Sequence, residues 1–458
     1  MAERELISQL RQEIRATPLG KTYVSLLGIS LLTLALTACA SDFSRALPSP
    51  SAPIASATSS PPDPAGSNGT ESNSPGSNPE ETNVPGSEPE ESNSQGSSGP
   101  FPAEPETTEA TLLAVGDIMV HTPQLPAYYD KASDSYDFTP WFSQVKPLLT
   151  RGDWVVGNLE TPIAGKDLKF TGYPRFNAPN ELATAIRDAG IQLVSTANNH
   201  SLDRGVPGVA RTLATVRKAG LVPFGTSESK TDRNRTVIEE RNGIRMGFLS
   251  YTYGTNGIPI PAGKEYAVNL IDRGVIKRDI AKLRQSGVDA VTVCMHFGVE
   301  YQRMPNSDQT DLARELVGAG ADLILGSHPH VVQPYQEIAV TADKSFDGTP
   351  RRGIVIYSLG NFISNQTGDW KDVGVIFGVR LTKTVHPDGT SQLEWDNITT
   401  EPTWVHIVWK NKQRHYTVIP LPTELKRRSF AELTAKDYEK MQKTQTSIHK
   451  HLRKLIAS

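Results

Sequence analysis

From about residue 110 the chain alternates short, β-branched apolar runs with longer stretches whose apolar positions recur at helical spacing. The apolar runs are Ala110 to Val115, Trp154 to Val156, Ile191 to Ser195, Ile244 to Ser250, Ala290 to Met295, Leu323 to Leu325 and Gly353 to Tyr357. Their length and bounding residues predict strands. Helices are expected over Asn180 to Ala189, Val206 to Ala219, Asp272 to Ser286 and Ser307 to Ala319. Each is followed by a glycine, Gly190, Gly220, Gly287 or Gly320, suited to a left-handed cap. Strands alternating with helices predict an α/β domain, placed at 110–380 with 381–458 completing it. In that last part Leu393 to Pro422 predicts two or three further strands. Glu424 to Ser458 predicts one Lys- and Arg-rich amphipathic helix, either packed on the domain or in contact with anionic lipid or polymer.

The pattern before residue 110 is different. Arg4, Arg11, Arg15 and Lys21 precede an almost wholly apolar run, Thr22 to Ala38, which ends at Cys39. Residues 1–40 therefore read as a membrane-targeting segment with its basic side in the cytoplasm, which would tether the rest of the chain outside. Leu36-Thr37-Ala38-Cys39 resembles a bacterial lipobox, which makes Cys39 a candidate lipid anchor; an uncleaved signal anchor is the alternative. Residues 41–109 are dominated by Ser, Pro, Gly, Asn, Glu and Thr, with no Lys or Arg between Arg45 and Lys131. A ten-residue unit, Pro75 to Val84 and again Pro85 to Ser94, repeats there. So little apolar surface cannot offset chain entropy, and the segment reads as a disordered acidic spacer.

Composition adds little. The net charge of -3 over 458 residues carries no nucleic-acid signal, and two cysteines cannot build a disulfide framework. Cys294, in the middle of a predicted strand, reads as a small buried apolar residue.

The chemistry lies just past the ends of the predicted strands. The first run leads to Gly116-Asp117-Ile118-Met119-Val120-His121 and the second to Gly157-Asn158-Leu159-Glu160. The third leads to Ala197-Asn198-Asn199-His200-Ser201-Leu202-Asp203-Arg204, and the later ones to His296-Phe297-Gly298-Val299-Glu300-Tyr301 and Gly326-Ser327-His328-Pro329-His330. Five of the ten histidines fall at these ends. Strand carboxyl ends in open α/β sheets share one crevice. If the last segment is extended, His328 and His330 face one side of it. Asp117 and Glu160 would supply charged oxygens, Asn199 a neutral oxygen, and His296, His328 and His330 imidazoles. That set suits two divalent cations of the Mn, Fe or Zn kind better than Ca or Mg. Two such cations activate water for displacement at phosphorus, with His200 beside Asn199 as candidate catalytic acid or donor. Arg204 is the better candidate for holding an anionic substrate. Arg175 reads as either an anion contact or a surface ion pair, and Glu300 as a substrate contact or a turn cap.

Taken with Ser358-Leu359-Gly360-Asn361-Phe362, these motifs resemble the CapA/PgsA family of poly-gamma-glutamate capsule proteins, over about residues 110–380. That family is similar in fold to the calcineurin-like metallophosphoesterases, which implies a layered α/β/β/α sandwich with a metal site at strand carboxyl ends. The resemblance implies Asn199 as ligand, His200 as catalytic donor, and His296, His328 and His330 as the remaining imidazole ligands. Two positions depart from the superfamily pattern. Met119 stands where a histidine is usual, which makes His121 a candidate ligand, and Glu160 stands where an aspartate is usual.

The expectation is a membrane-tethered, extracytoplasmic protein that acts in the synthesis, export or anchoring of poly-gamma-glutamate or a related anionic polymer. Its partners would be that polymer or a phosphoester substrate, the membrane, and membrane-bound polymer synthase components. A surface phosphatase or phosphodiesterase unrelated to capsule, and a non-catalytic polymer-binding assembly factor, are the rival readings.

Overall fold

In a computed structural model of the chain, residues 104–456 are described. The expected targeting segment, Cys39 and the spacer up to residue 103 lie outside them, whereas the last spacer residues, Glu106 to Glu109, are not disordered but begin the first strand, paired with Thr382 to Val385. Among the described residues no helix is long and apolar enough to cross a membrane.

Two sheets form the centre. The first runs in the order β16 (Gln413–Pro420), β15 (Ser391–Lys410), β14 (Val373–Val385), β1 (Glu106–Ile118), β4 (Trp154–Leu159), β5 (Leu193–Ser195) and β6 (Val222–Phe224). Within it β1, β4, β5 and β6 are parallel, whereas β14, β15 and β16 pair antiparallel. Short β13 (Asn361–Ile363) pairs with the end of β1. The second sheet runs β11 (Val332–Val340), β12 (Arg351–Leu359), β10 (Leu323–Ser327), β9 (Ala290–His296), β8 (Ile244–Thr252) and β7 (Val237–Arg241), parallel except at its two edges. A small hairpin, β2 (Tyr129–Asp130) with β3 (Ser135–Tyr136), stands apart.

Alternation along β1 shows how the layers form. Leu112 and Ala114 point between the sheets, where they meet Trp154, Phe248, Leu325 and Ile356. Leu113 and Val115 point the other way, onto a helical layer that includes α1 (Thr139–Phe142), α2 (Lys146–Leu149), α3 (Glu181–Asp188) and α4 (Gly205–Lys218). After short α5 (Lys230–Arg233), the helices α6 (Arg273–Gln285) and α7 (Ser307–Gly318) cover the outer face of the second sheet through Ile280, Leu283, Leu312 and Leu316. The result is the expected α/β/β/α sandwich. Asp272 starts α6 by accepting the Val275 N–H at 2.9 Å, and Asn306 with Gln309 forms a reciprocal cap on α7. The expected caps Gly190, Gly220, Gly287 and Gly320 all have positive φ.

Two expectations fail. The terminal segment is two helices, α8 (Leu421–Arg427) and α9 (Ala435–Leu452), parted at left-handed Arg428. The break is stabilised by the buried Glu424 carboxylate, which accepts the Phe430 N–H at 2.8 Å and the Tyr438 hydroxyl at 2.9 Å. Ile448 and Leu452 on α9 enter the core between the sheets. His328 and His330 are also not extended, since their φ values are +98° and +57°. β10 ends at Ser327, and a tight turn around Pro329 brings the two imidazoles together instead of the strand pleat.

Candidate metal centre

The crevice lies where the carboxyl ends of both sheets meet. β1, β4 and β5 deliver Asp117, Glu160 and Asn199, while β9 and β10 deliver His296, His328 and His330. The oxygens therefore come from one sheet and the imidazoles from the other. All six side chains are buried, Asp117 and Glu160 completely.

Two three-residue groups emerge, Glu160 with His296 and His328, and Asp117 with Glu160 and His330; within each, one atom per residue lies within 4.8 Å of the others. Glu160 belongs to both. Its Oε1 is 3.5 Å from His296 Nε2 and 3.8 Å from His330 Nε2, and makes no hydrogen bond. His328 Nδ1 is likewise buried without a partner. Asn199 Oδ1 adds a third oxygen, 3.0 Å from His296 Nε2. Buried polar atoms without partners are costly, and cations would satisfy both of these. The donor set of carboxylate, amide oxygen and imidazole fits a transition metal of borderline softness.

Neighbouring groups set the orientation of the donors. Asn158, near the end of β4 and two residues before Glu160, donates from Nδ2 to Asp117 Oδ1 at 2.8 Å and to Glu160 Oε2 at 3.2 Å. His330 Nδ1 is 2.9 Å from Asp117 Oδ2 and 3.1 Å from Asn361 Oδ1. Both neighbours accept, so Nδ1 carries the proton and Nε2 stays open toward Glu160. Asn361 is held in turn by donating to Lys371 O at 2.8 Å and Gln366 Oε1 at 3.0 Å.

Burial sets the electrostatics. Desolvation first, and then the nearby Asp117, push the Glu160 carboxyl well above the usual carboxylate range. Desolvation also holds His296 well below its ordinary value and lowers His328 to about 4, with neighbouring histidines adding to both shifts. Neutral imidazoles at physiological pH are the ligand form.

His200 sits beside these groups. Its Nδ1 is 2.8 Å from Asp203 Oδ2, which also accepts the Phe176 N–H at 2.7 Å, and its ring meets Phe176 edge-on at 4.6 Å. The pairing places a proton on His200 Nδ1, which donates to Asp203, and leaves Nε2 as the working nitrogen. His121 falls outside both donor groups. It begins a short 3-10 turn, its Nδ1 contacts Gln124 Oε1 at 3.3 Å, and burial lowers it to about 4. Arg204 braces a loop, donating from Nη2 to Thr171 Oγ1 and to Arg175 O. Arg175 and Glu300 are exposed. Asn158 and Asp203 lie inside the sequence motifs, but the motifs alone assign them no role. The two-residue spacing to Glu160 and the three-residue spacing to His200 are the signals that mark them.

The chain matches the family described as Bacterial capsule synthesis protein PGA_cap over residues 111–366. It is 32% identical over 270 residues to the capsule biosynthesis protein CapA of Bacillus anthracis, covering 57% of this chain and 61% of that one. To the PGA biosynthesis protein CapA of Bacillus subtilis (strain 168) it is 30% identical over 261 residues, covering 55% and 62%. The chain thus spans about three fifths of the length of these relatives. Among solved structures, the NAD nucleotidase NadN of Haemophilus influenzae superposes with a TM-score of 0.41 at 13% identity, over 75% of this chain and 56% of that one. The calcineurin-like phosphoesterase YfkN of Bacillus subtilis gives 0.35 at 13%, over 76% and 100%. Scores this low carry no argument, so the fold rests on the sheet order described above. The match across more than half of the chain establishes the family: this protein belongs to the PGA_cap family of bacterial capsule synthesis proteins.

Proposed function

We propose that this protein is tethered to the outer side of a bacterial membrane and acts in the synthesis, export or anchoring of poly-gamma-glutamate or a related anionic polymer, through a two-cation site that cleaves phosphoesters. The capsule role is supported by the family and by the names of its relatives. The basic and apolar amino terminus ending at Cys39 supports the tether, and membrane-bound polymer synthase components are the partners this placement suits.

The observation that carries the catalytic reading is Glu160 Oε1, buried, unpartnered and shared by the two donor groups. Asp117, Glu160 and His330 would hold one divalent cation of the Mn, Fe or Zn kind, and Glu160, Asn199, His296 and His328 the other. When bound, such a pair supplies a water activated at neutral pH and a clamp on the phosphoryl oxygens. The chain's own residues do the rest. Asn158 holds the two carboxylates in register, Asp203 accepts the Nδ1 proton of His200, and the His200 imidazolium would give its Nε2 proton to the departing oxygen and be left as the neutral Nδ1–H form. The buried walls keep bulk water from the donors.

The test compares the detergent-solubilised full chain with a variant carrying His328→Ala and His330→Ala. About two transition metals per parent chain and turnover of bis(p-nitrophenyl) phosphate, both lost in the variant, are the expected result. A folded, metal-free and inert parent would end the catalytic reading and favour an assembly factor. Loss of surface polymer on deletion of the gene, restored only by the parent, separates the capsule role from an unrelated surface phosphodiesterase.

A further inference from the structure

β8 brings its carboxyl end to the same crevice as β9 and β10, yet the residues after it are Tyr253-Gly254-Thr255-Asn256-Gly257, with no carboxylate or imidazole. The segment is fixed to the donors. Thr252 pairs with His296 in the β8–β9 ladder, and the Tyr253 N–H donates to His296 O at 3.0 Å. The Tyr253 ring lies parallel to His296 and 4.5 Å from His328. Thr255 is buried and closes the turn by donating to Ile258 O at 2.7 Å. Asn256 then stands at φ +51°, with its side chain directed back at Asn199.

The contact matters because the two ends of an amide have nearly the same shape but opposite polarity. Only the oxygen of Asn199 binds a cation, so something must decide which end faces the donors. Asn199 Nδ2 donates to Asn256 Oδ1 at 3.2 Å, while Asn199 Oδ1 faces His296 Nε2 at 3.0 Å. The Tyr253 side chain also hydrogen-bonds Asn199, so Asn256 shares the task of holding the amide. We infer that Asn256 is a positioning residue, which holds the Asn199 amide so that its oxygen is presented to the cation at Glu160, His296 and His328. This rests on the two-cation reading. Partners that orient metal ligands from behind are worth about 10- to 100-fold in affinity.

The test is Mn2+ titration of the chelator-treated full chain by calorimetry, which needs no turnover. Asn256→Gly removes the side chain at a left-handed position that glycine accepts without strain, so a loss of binding cannot be blamed on the backbone. Asn256→Asp keeps an acceptor for the Asn199 NH2. The expected result is two binding steps in the parent, one of them about 10- to 100-fold weaker in Asn256→Gly, and recovery in Asn256→Asp. Unchanged isotherms in Asn256→Gly overturn the inference and leave the cation site standing. Equal weakening in Asn256→Gly and Asn256→Asp also overturns it. A parent that takes up no Mn2+ overturns both the inference and the two-cation reading, and is recognised because the failure appears before any substitution.

Discussion

Glu160 concentrates the competing demands on this site in one carboxylate. Its complete burial beside Asp117 is unfavourable unless positive charge arrives, which is why its carboxyl is pushed up so far. Glutamine keeps the length and an oxygen but removes the charge. Glu160→Gln should therefore fold with chelator present at least as stably as the parent, while gaining nothing from added Mn2+. The parent should gain about 2.7 kcal/mol per site at a hundredfold excess of cation over Kd. Urea unfolding of both proteins, with chelator and with Mn2+, reads the four values. A variant much weaker than the parent in chelator would instead make Glu160 a structural group.

At the scale of elements, the position of the imidazoles depends on how closely β10 and β12 approach. A Cβ on Gly326 would lie 2.0 Å from Tyr357 O, a backbone atom that cannot move aside cheaply. Gly326→Ala should cost about 3 kcal/mol and displace Ser327 and His328, so that cation binding weakens as well. Gly254→Ala, where nothing lies within 4 Å of an added Cβ, should stay within about 0.5 kcal/mol of the parent. Urea midpoints distinguish the two, and equal effects would refute the packing argument. Such elements were largely legible in the sequence. The run Ala290 to Met295 became β9 and the helical spacing of Ser307 to Ala319 became α7, because burial periodicity is local information. The turn at His328 and His330 was not legible, since left-handed φ at non-glycine residues is imposed by tertiary contacts such as the Tyr301 N–H donating to Pro329 O at 2.7 Å. The Arg428 break was hidden because it depends on which groups the buried Glu424 carboxylate accepts from, Phe430 and Tyr438 further along the chain. The candidate site residues could be named from the strand ends, but their partition between two sheets is a property of topology. The loop that Arg204 braces, Thr171 to Arg175, was not legible because it is 29 or more residues away in sequence.

For the whole molecule, the cluster of buried histidines couples folding to pH. His121 and His328 are lowered to about 4 and His296 well below its ordinary value, in each case chiefly by burial. A histidine lowered on folding contributes stability that is present above its unfolded value near 6.5 and is lost as pH falls toward the folded value. Each such group removes about 1.4 kcal/mol per pH unit within that window. His406 and His451, also lowered by burial, act in the same direction. Glu160 and Asp322 oppose them, because a raised carboxyl contributes stability below its unfolded value that is lost as pH rises through the folded one. With His415, lowered in the same way, six histidines stand against two carboxyls, so the chelated protein should be less stable at pH 5 than at pH 7. Protons also compete with cations for His296 and His328, so the stabilisation by Mn2+ should shrink over the same interval. Urea unfolding at pH 7 and pH 5, with chelator and with Mn2+, tests both statements. Greater stability of the chelated protein at pH 5 would show that the buried carboxyls, and not the imidazoles, govern how this fold responds to acid.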